Sequence, residues 1–272
     1  MKTKNLTQKL NLYELIGIIL GDGSLKHYPT KRVYDLEIVG DAKDDQEYFS
    51  KISDLLFKLT NKEPKILVRK EKLGNSLRLH LYSKKFVEYL INDIGITNKN
   101  KTFTGEIPKQ YLNWKFSKHI IRGLFETDGS IYFSKSKKIK YPSYPRIEIK
   151  TSSKKLASQT FKILKQKAFK IRISSSKTDR TKRLLLSGPE MLEKWVLEIG
   201  FSSMKKYSKY LFWKKFGYYI PKIPYKKRLI LIREDGEVAK WCKTKPSPGY
   251  RDRLQPDYAW VQFPFLPLIF LK

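Results

Sequence analysis

Over roughly the first 200 positions, apolar residues alternate between two spacings, one near 3.6 and one of 2, and the order of these stretches occurs twice. Positions 11–21 are apolar nearly all round (Leu12, Leu15, Ile16, Ile18, Ile19, Leu20), which predicts a helix buried on most sides. Asn11 suits its N-cap, with Glu14 three residues on in the manner of a capping box. Two stretches of alternating or β-branched residues, 24–28 and 33–39, predict strands joined by a turn at Pro29. Residues 44–60 carry Tyr48, Phe49, Ile52, Leu55, Leu56 and Leu59 at helical spacing. Two further strands are expected at 65–70 and 76–82, linked through Gly74-Asn75, and a closing helix ahead of Gly95.

The second passage runs in the same order. A helix begins near Ser117, strands are expected at 130–135 and 144–150, and a helix at 153–168 carries Leu156, Phe161, Ile163 and Leu164. Strands at 169–175 and 183–187 and a helix opened by Pro189 complete it. The letters repeat as well as the pattern: LIGIILGDGSL (15–25) recurs as IRGLFETDGSI (121–131), DLEIV as RIEIK, LRLHLYS as RLLLS, and Gly95 as Gly200. Asp22 and Asp128 thus stand at matching places 106 positions apart, and the chain is inferred to be a tandem duplication. The expected fold class is α+β, two pseudo-symmetric αββαββα repeats with antiparallel sheets, divided as 1–96, a linker 97–116, 117–201 and an extension 202–272. Within the extension, RLILIREDGEVAKW predicts a hairpin turning at Asp235-Gly236.

Composition adds the class of partner. Lysine and arginine number 57 against 26 acidic residues, a formal charge of +31, while 40% of the 272 residues are hydrophobic, enough to build a core. Such a chain is matched to a polyanion, because neutralising phosphates releases condensed counterions. Cys242 is the single cysteine, which excludes an internal disulfide and a cysteine zinc cage and fits a reducing compartment. The first eleven residues lack a secretion signal, and the apolar runs at Leu15–Leu20 and in FPFLPLIFLK, broken by Pro264 and Pro267, fall short of a membrane span. An intracellular protein, in a prokaryote or an organelle matrix, is expected.

The chemistry concentrates at the two recurring motifs. Gly17 and Gly123 lie five positions before the aspartates, where a mid-helix glycine costs roughly 1 kcal/mol relative to alanine, so a close backbone approach is the expected compensation. Two helices packed there would bring their C-terminal ends, and hence Asp22 and Asp128, together. Paired carboxylates at negative helix ends repel each other until a cation joins them, and Mg2+, which prefers oxygen ligands, is the expected one. Mn2+ or Ca2+ can substitute for binding. Such an ion could support in-line phosphodiester hydrolysis.

The segments LIGIILGDG and IRGLFETDG resemble, position by position, the signature of the LAGLIDADG homing-endonuclease family, with Gly17 and Gly123 on its glycine and Asp22 and Asp128 on its final acid. The resemblance covers about residues 11–200. It implies that the motif helices form the inter-repeat interface, that the two sheets make a saddle over the DNA major groove, and that a monomer cuts both strands of a long pseudo-palindromic or asymmetric target. It also implies that Asp22 and Asp128 bind the metal, with Gly21 and Thr127 beside them, and that a basic residue sits near each scissile phosphate, for which Lys43 and Lys150 are candidates. Arg122 and Glu126 depart from the signature, and Glu126 is expected to face outward or pair locally. The chain's ends, Met1-Lys2 and Phe270-Leu271-Lys272, lack the residues of an intein, so a free-standing, intron-encoded enzyme is expected. The alternatives are a maturase acting on its own intron RNA and a regulator that binds without cutting.

Lys26, Arg32, Lys65, Arg69, Arg78, Lys135, Lys137, Lys150, Arg172 and Arg183 fall on or beside the expected strands. They either form a solvated sheet face or reach phosphates and base edges in a groove, and DNA contact is the favoured reading for the set. His27, His80 and His119 are not at ligand spacing, and structural roles are expected for them; Trp114, Trp195 and Trp213 are expected in the core.

Overall fold

A computed structural model describes residues 12–71, 74–98, 100–135, 140–176 and 181–233. A helix α1 over 12–20 leads into strands β1 (Gly23–Tyr28) and β2 (Val33–Asp41), helix α2 (Gln46–Thr60), strands β3 (Lys65–Glu71) and β4 (Gly74–Tyr82), and helix α3 (Lys84–Asn92). A short α4 (Lys101–Thr104) and a 3-10 turn at Lys109–Tyr111 follow. Helix α5 (Trp114–Asp128) then opens a second set: β5 (Gly129–Ser134), β6 (Tyr144–Thr151), α6 (Lys154–Gln166), β7 (Ile171–Ser175), β8 (Lys182–Ser187) and α7 (Pro189–Glu198). Helices α8 (Met204–Phe216) and α9 (Tyr225–Arg233) come last.

Each set builds one four-stranded antiparallel sheet, in the orders β1-β2-β4-β3 and β5-β6-β8-β7. The duplication therefore extends to strand order. Alternation separates the faces. Leu25, Leu36 and Leu81 pair across the first sheet and are buried under the helices, as are Ile131, Ile147 and Leu186 in the second. The intervening residues point to the opposite face of each sheet. Helix α2 meets the first core with Tyr48, Phe49, Ile52 and Leu56, and α6 meets the second with Leu156, Ala157, Ile163 and Leu164. Side-chain caps start three of the helices: Ser83 accepts from Phe86 N at 3.4 Å, Asn113 from Lys115 N at 3.0 Å, and Ser153 from Leu156 N at 3.1 Å.

Several local expectations are corrected. With Asn113 as its cap, α5 starts at Trp114 rather than near Ser117. Gly74 and Asn75 pair with Glu71 and Lys70 inside the ladder, so the first sheet's second hairpin turns before them. The segment beginning at Arg228 is helical, not a hairpin strand, because Leu231 seals a small apolar cluster with Phe212, Phe216 and Tyr219; Asp235-Gly236 lies outside the described residues, as does the Asn11 cap. Trp195 and Trp213 are fully buried, whereas Trp114 is only partly so. Among the described residues no helix is long and apolar enough to cross a membrane.

Candidate active site

The two motif helices, α1 and α5, meet at their glycines. A side chain begun at Gly17 would run into the carbonyl of Ile120 and lie 2.7 Å from Leu124 N, and one begun at Gly123 would run into the carbonyl of Glu14 and lie 2.9 Å from Ile18 N. Backbone therefore touches backbone, reciprocally. Arg122, which departs from the motif, ties the same pair of helices: its guanidinium donates to Glu14 Oε2 at 2.7 Å and to Ile199 O at 3.2 Å.

This crossing brings the helix ends together. Asp128 Oδ2 lies 3.3 Å from where a Gly21 side chain would start, one residue from Asp22. Burial raises the pKa of both aspartates, and the Asp22 carboxylate adds to the rise at Asp128, which is pushed up to about 6. The charges that offset this are two lysines, Lys101 and Lys206. Lys101 Nζ donates to the carbonyls of Ile19 at 2.8 Å and Gly23 at 2.5 Å, and also to Gly21. Lys206 Nζ donates to the carbonyl of Phe125, the position in α5 that matches Ile19, and sits 4.7 Å from the centre of the Phe125 ring. Both ammonium groups cover the negative ends of the motif helices, and burial lowers the pKa of each.

These two lysines were missed in the sequence, although a signal exists: each stands six residues after the matched glycines Gly95 and Gly200, in GITNKNK and GFSSMKK. Lys43 is exposed in the turn after β2, where its backbone nitrogen donates to Asp41 Oδ1 at 2.9 Å. Lys150 is half exposed on β6, ion-paired with Glu148 at 3.3 Å. Neither bears on the aspartates as Lys101 and Lys206 do. Glu126 does not face outward. Its side chain is wholly buried, accepts from Ser202 N at 2.7 Å and lies 4.0 Å from the Lys206 ammonium, which anchors the segment entering α8.

A cavity of about 230 Å³ opens on this flank, lined by Asp22, Asp45, Glu126, Thr127, Lys205 and Lys206. The groups around the helix ends are hard oxygens: two carboxylates and the backbone at Gly21 and Thr127, the Thr127 hydroxyl being turned back onto Leu124 O at 2.9 Å. Mutually repelling carboxylates with no nitrogen or sulfur ligand beside them fit a small divalent cation of the magnesium type. The other cluster of ligand-type residues, Asp35, Glu37 and His80, is closed by protein cations. Lys26 Nζ lies 3.1 Å from Asp35 and 2.7 Å from Glu37, Arg78 lies 2.6 Å from Glu37, and His80 Nδ1 is 3.0 Å from Asp35.

Strand register places the basic strand residues on one side of each sheet, opposite the core. Ser24, Glu37, His80 and Lys65 form one cross-strand row of the first sheet, with Arg78 and Arg69 in the rows beyond. In the second sheet Arg172 shares a row with Glu148, and Lys150 with Arg183. Lys26 and Arg78 are already paired with acids, Arg78 also with Glu71 at 3.0 Å, while Lys65, Arg69 and Arg172 are exposed. Arg32 sits in the left-handed conformation at the β1–β2 turn, Lys135 is exposed just past β5, and Lys137 lies outside the described residues.

A family model described as the LAGLIDADG DNA endonuclease family matches residues 13–206. Comparison with curated protein sequences gives no match. Among solved structures, the homing endonuclease I-WcaI bound to its DNA recognition sequence is similar at 18% identity and a TM-score of 0.51, over 73% of this chain and 85% of that one, a likeness of fold. Mesophilic variants of the homing endonuclease I-DmoI align at 20% identity and a TM-score of 0.49, over 71% of this chain and 96% of theirs. The structure of I-DmoI in complex with DNA and Mn aligns at 20% identity and a TM-score of 0.48, over 72% and 98%.

Proposed function

The chain belongs to the LAGLIDADG DNA endonuclease family, and on that premise we propose that it is a metal-dependent enzyme that, as a monomer, cuts both strands of a long DNA duplex. The single observation that carries this reading is the interlock at Gly17 and Gly123, which leaves two partly desolvated carboxylates side by side at the ends of α1 and α5. Asp22 and Asp128 would hold the divalent cation, Mg2+ by the hardness of the oxygen donors, with Thr127 contributing through the backbone while the Gly21 carbonyl already accepts from Lys101. Bound there, the cation supplies an activated water and a counter-charge for the leaving oxygen.

The protein's own groups do the rest. Asp22 and Asp128, ionised, would be the groups that hold the cation beside the reacting phosphate. Lys101 and Lys206 hold the carbonyls of the two helix ends and add positive charge beside a phosphate that becomes more negative at the transition state. The pairing of one lysine with each motif supports a site in two matched halves, one per strand, and we infer that the second unit runs on to Lys206. The basic faces of the two sheets would lie along the duplex, Lys65, Arg69 and Arg172 on phosphates and Arg78, held by Glu37 and Glu71, on a base edge.

Incubating the protein with Mg2+ and a library of randomised duplexes, then sequencing the ends, tests the reading. Staggered double-strand ends at one long sequence are expected. A double variant, Asp22→Asn with Asp128→Asn, should bind that duplex and leave it intact; cutting by this variant at the normal rate would overturn the mechanism.

A further inference from the structure

The two lysines are held differently. Lys101 heads α4 and grips three carbonyls, at Ile19, Gly21 and Gly23. Lys206 has one such carbonyl, that of Phe125, and its backbone belongs to the first turn of α8, in a helical pair with no counterpart after the first sheet. What fixes that turn is Arg228 on α9. It is 3% exposed, and among the described residues no carboxylate accepts from its guanidinium, the nearby Asp44 acting on it through charge alone. Instead Nη2 donates to Lys205 O at 2.8 Å, Nε to Ser208 Oγ at 2.9 Å, and Nη1 to Tyr219 Oη at 3.0 Å and Ile223 O at 3.2 Å. Ser208, itself fully buried, donates onward to the same Lys205 carbonyl at 3.1 Å.

The Lys205 carbonyl carbon is bonded to the Lys206 nitrogen. Two donors on that oxygen therefore set the peptide plane from which the Lys206 side chain departs. The next constraint is Lys205 itself, whose ammonium reaches Asp45 at 3.0 Å across the cavity beside Asp22. A buried cation whose hydrogen bonds all go to neutral acceptors is an expensive way to close a helix turn, because desolvation is incompletely offset even with the Asp44 charge nearby. Packing alone would be met by an apolar side chain of that size.

We propose that Arg228 is a positioning residue for Lys206, and that α8 and α9 thereby control the half of the site that cuts one strand and leave the other half to Lys101. The proposal rests on the endonuclease reading above and adds that the two halves are unequal. Disturbing Arg228 should convert a double-strand cutter towards a nicking enzyme.

The test uses the full chain and the duplex recovered by the end-sequencing selection, with each strand labelled separately. Arg228→Met is expected to slow one strand about tenfold while the other stays within about twofold, so that nicked duplex accumulates, and Arg228→Lys should recover part of the loss. Equal slowing of both strands, or no slowing, overturns the proposal. A second arm needs no DNA: competitive acylation of lysines, read by mass spectrometry, should show the Lys206 amine changing in reactivity in Arg228→Met while Lys101 does not. Wild-type protein that cuts nothing counts against the endonuclease reading alone, and the acylation arm then decides the positioning claim, an unchanged Lys206 sinking it. If Arg228→Met does not unfold cooperatively, Ser208→Ala takes its place, with the same strand and the same lysine affected to a smaller degree and the same two null results overturning the idea.

Discussion

Lys101 and Lys206 each place an ammonium on the backbone carbonyl at the same position of its own motif helix, Ile19 for the first and Phe125 for the second. Helix C-termini carry roughly half a negative charge. Two such ends and two aspartates so close together would be strongly self-repelling without these lysines. They serve folding and site electrostatics together.

Replacing either lysine by methionine should therefore separate cutting from binding. The expected loss in cleavage rate is roughly 10²-fold, the scale of removing one preorganised charged donor. Affinity for the target, measured in Ca2+ by a filter or fluorescence assay, should change far less, because the sheet faces remain. A large affinity loss with unchanged cutting would contradict the assignment.

The helix crossing should tolerate no side chain. Alanine at Gly17 gains about 1 kcal/mol of intrinsic helix preference, while overpacking of a tight contact costs about 1–3 kcal/mol. Here the obstruction is the Ile120 carbonyl and the backbone at Leu124, which cannot rotate aside, so the second effect wins. Gly17→Ala and Gly123→Ala should each lower the midpoint of urea or thermal unfolding, and neither should be rescued by metal. A midpoint at or above the wild type would refute the contact.

The acid pair predicts a pH dependence of the metal-free protein. With the Asp128 pKa raised to about 6 in the fold and near 3.8 when unfolded, the folded chain binds more protons between these values. The Asp128 contribution to stability should then fall as pH rises through that window, by at most about 3 kcal/mol, and stay low above it. Adding Mg2+ at pH 8 should restore it, and Asp128→Asn should raise the metal-free unfolding midpoint while abolishing cutting. An identical dependence of stability on pH between 4 and 6 in metal-free wild type and Asp128→Asn would remove the mutual-repulsion argument.

His119 acts in the opposite sense. It is buried on α5 itself, and desolvation followed by the charges of Arg122 and Lys118 lowers its pKa to about 4. A folded pKa below the unfolded 6.5 means stability that is full above about 6.5 and lost as pH falls towards 4. Calorimetry of His119→Gln should show a shallower acid limb than the wild type.

The sheet faces predict a difference among cations. Arg172 is exposed, and Arg172→Ala should weaken DNA binding at low salt and reduce the slope of log K against log salt by about 0.9 for the phosphate lost. Lys26 is already neutralised by Asp35 and Glu37, and Lys26→Ala should leave that slope nearly unchanged. Equal slopes for both variants would mean that the acids release their lysine when DNA arrives.

Much of this architecture is legible in the letters because two periodicities, 3.6 and 2, alternate in a duplicated order. The core faces of β2, β4, β6 and β8 follow from alternation alone, and the Gly17–Gly123 contact from a glycine where helix preference disfavours one. What escaped were relations between residues far apart. Glu126 looks like a surface acid until Ser202 and Lys206 are folded over it, and Lys206 itself lies past the last obvious match between the halves. The stretch from Arg228 to Arg233 has the short, partly β-branched apolar run of a buried strand, yet tertiary contact with Phe212 and Tyr219 makes it a helix, an override of local preference that no window of sequence contains.

The glycine crossing has a consequence for any attempt to redirect such a protein. In an enzyme that breaks one strand at each aspartate, the distance between the two breaks, and so the length of the overhang, is dictated by how far α1 and α5 can close before carbonyl meets carbon. None of the atoms that set this distance belongs to either sheet face. Rewriting the sheet surfaces would change where the duplex is severed and leave the stagger of its ends untouched.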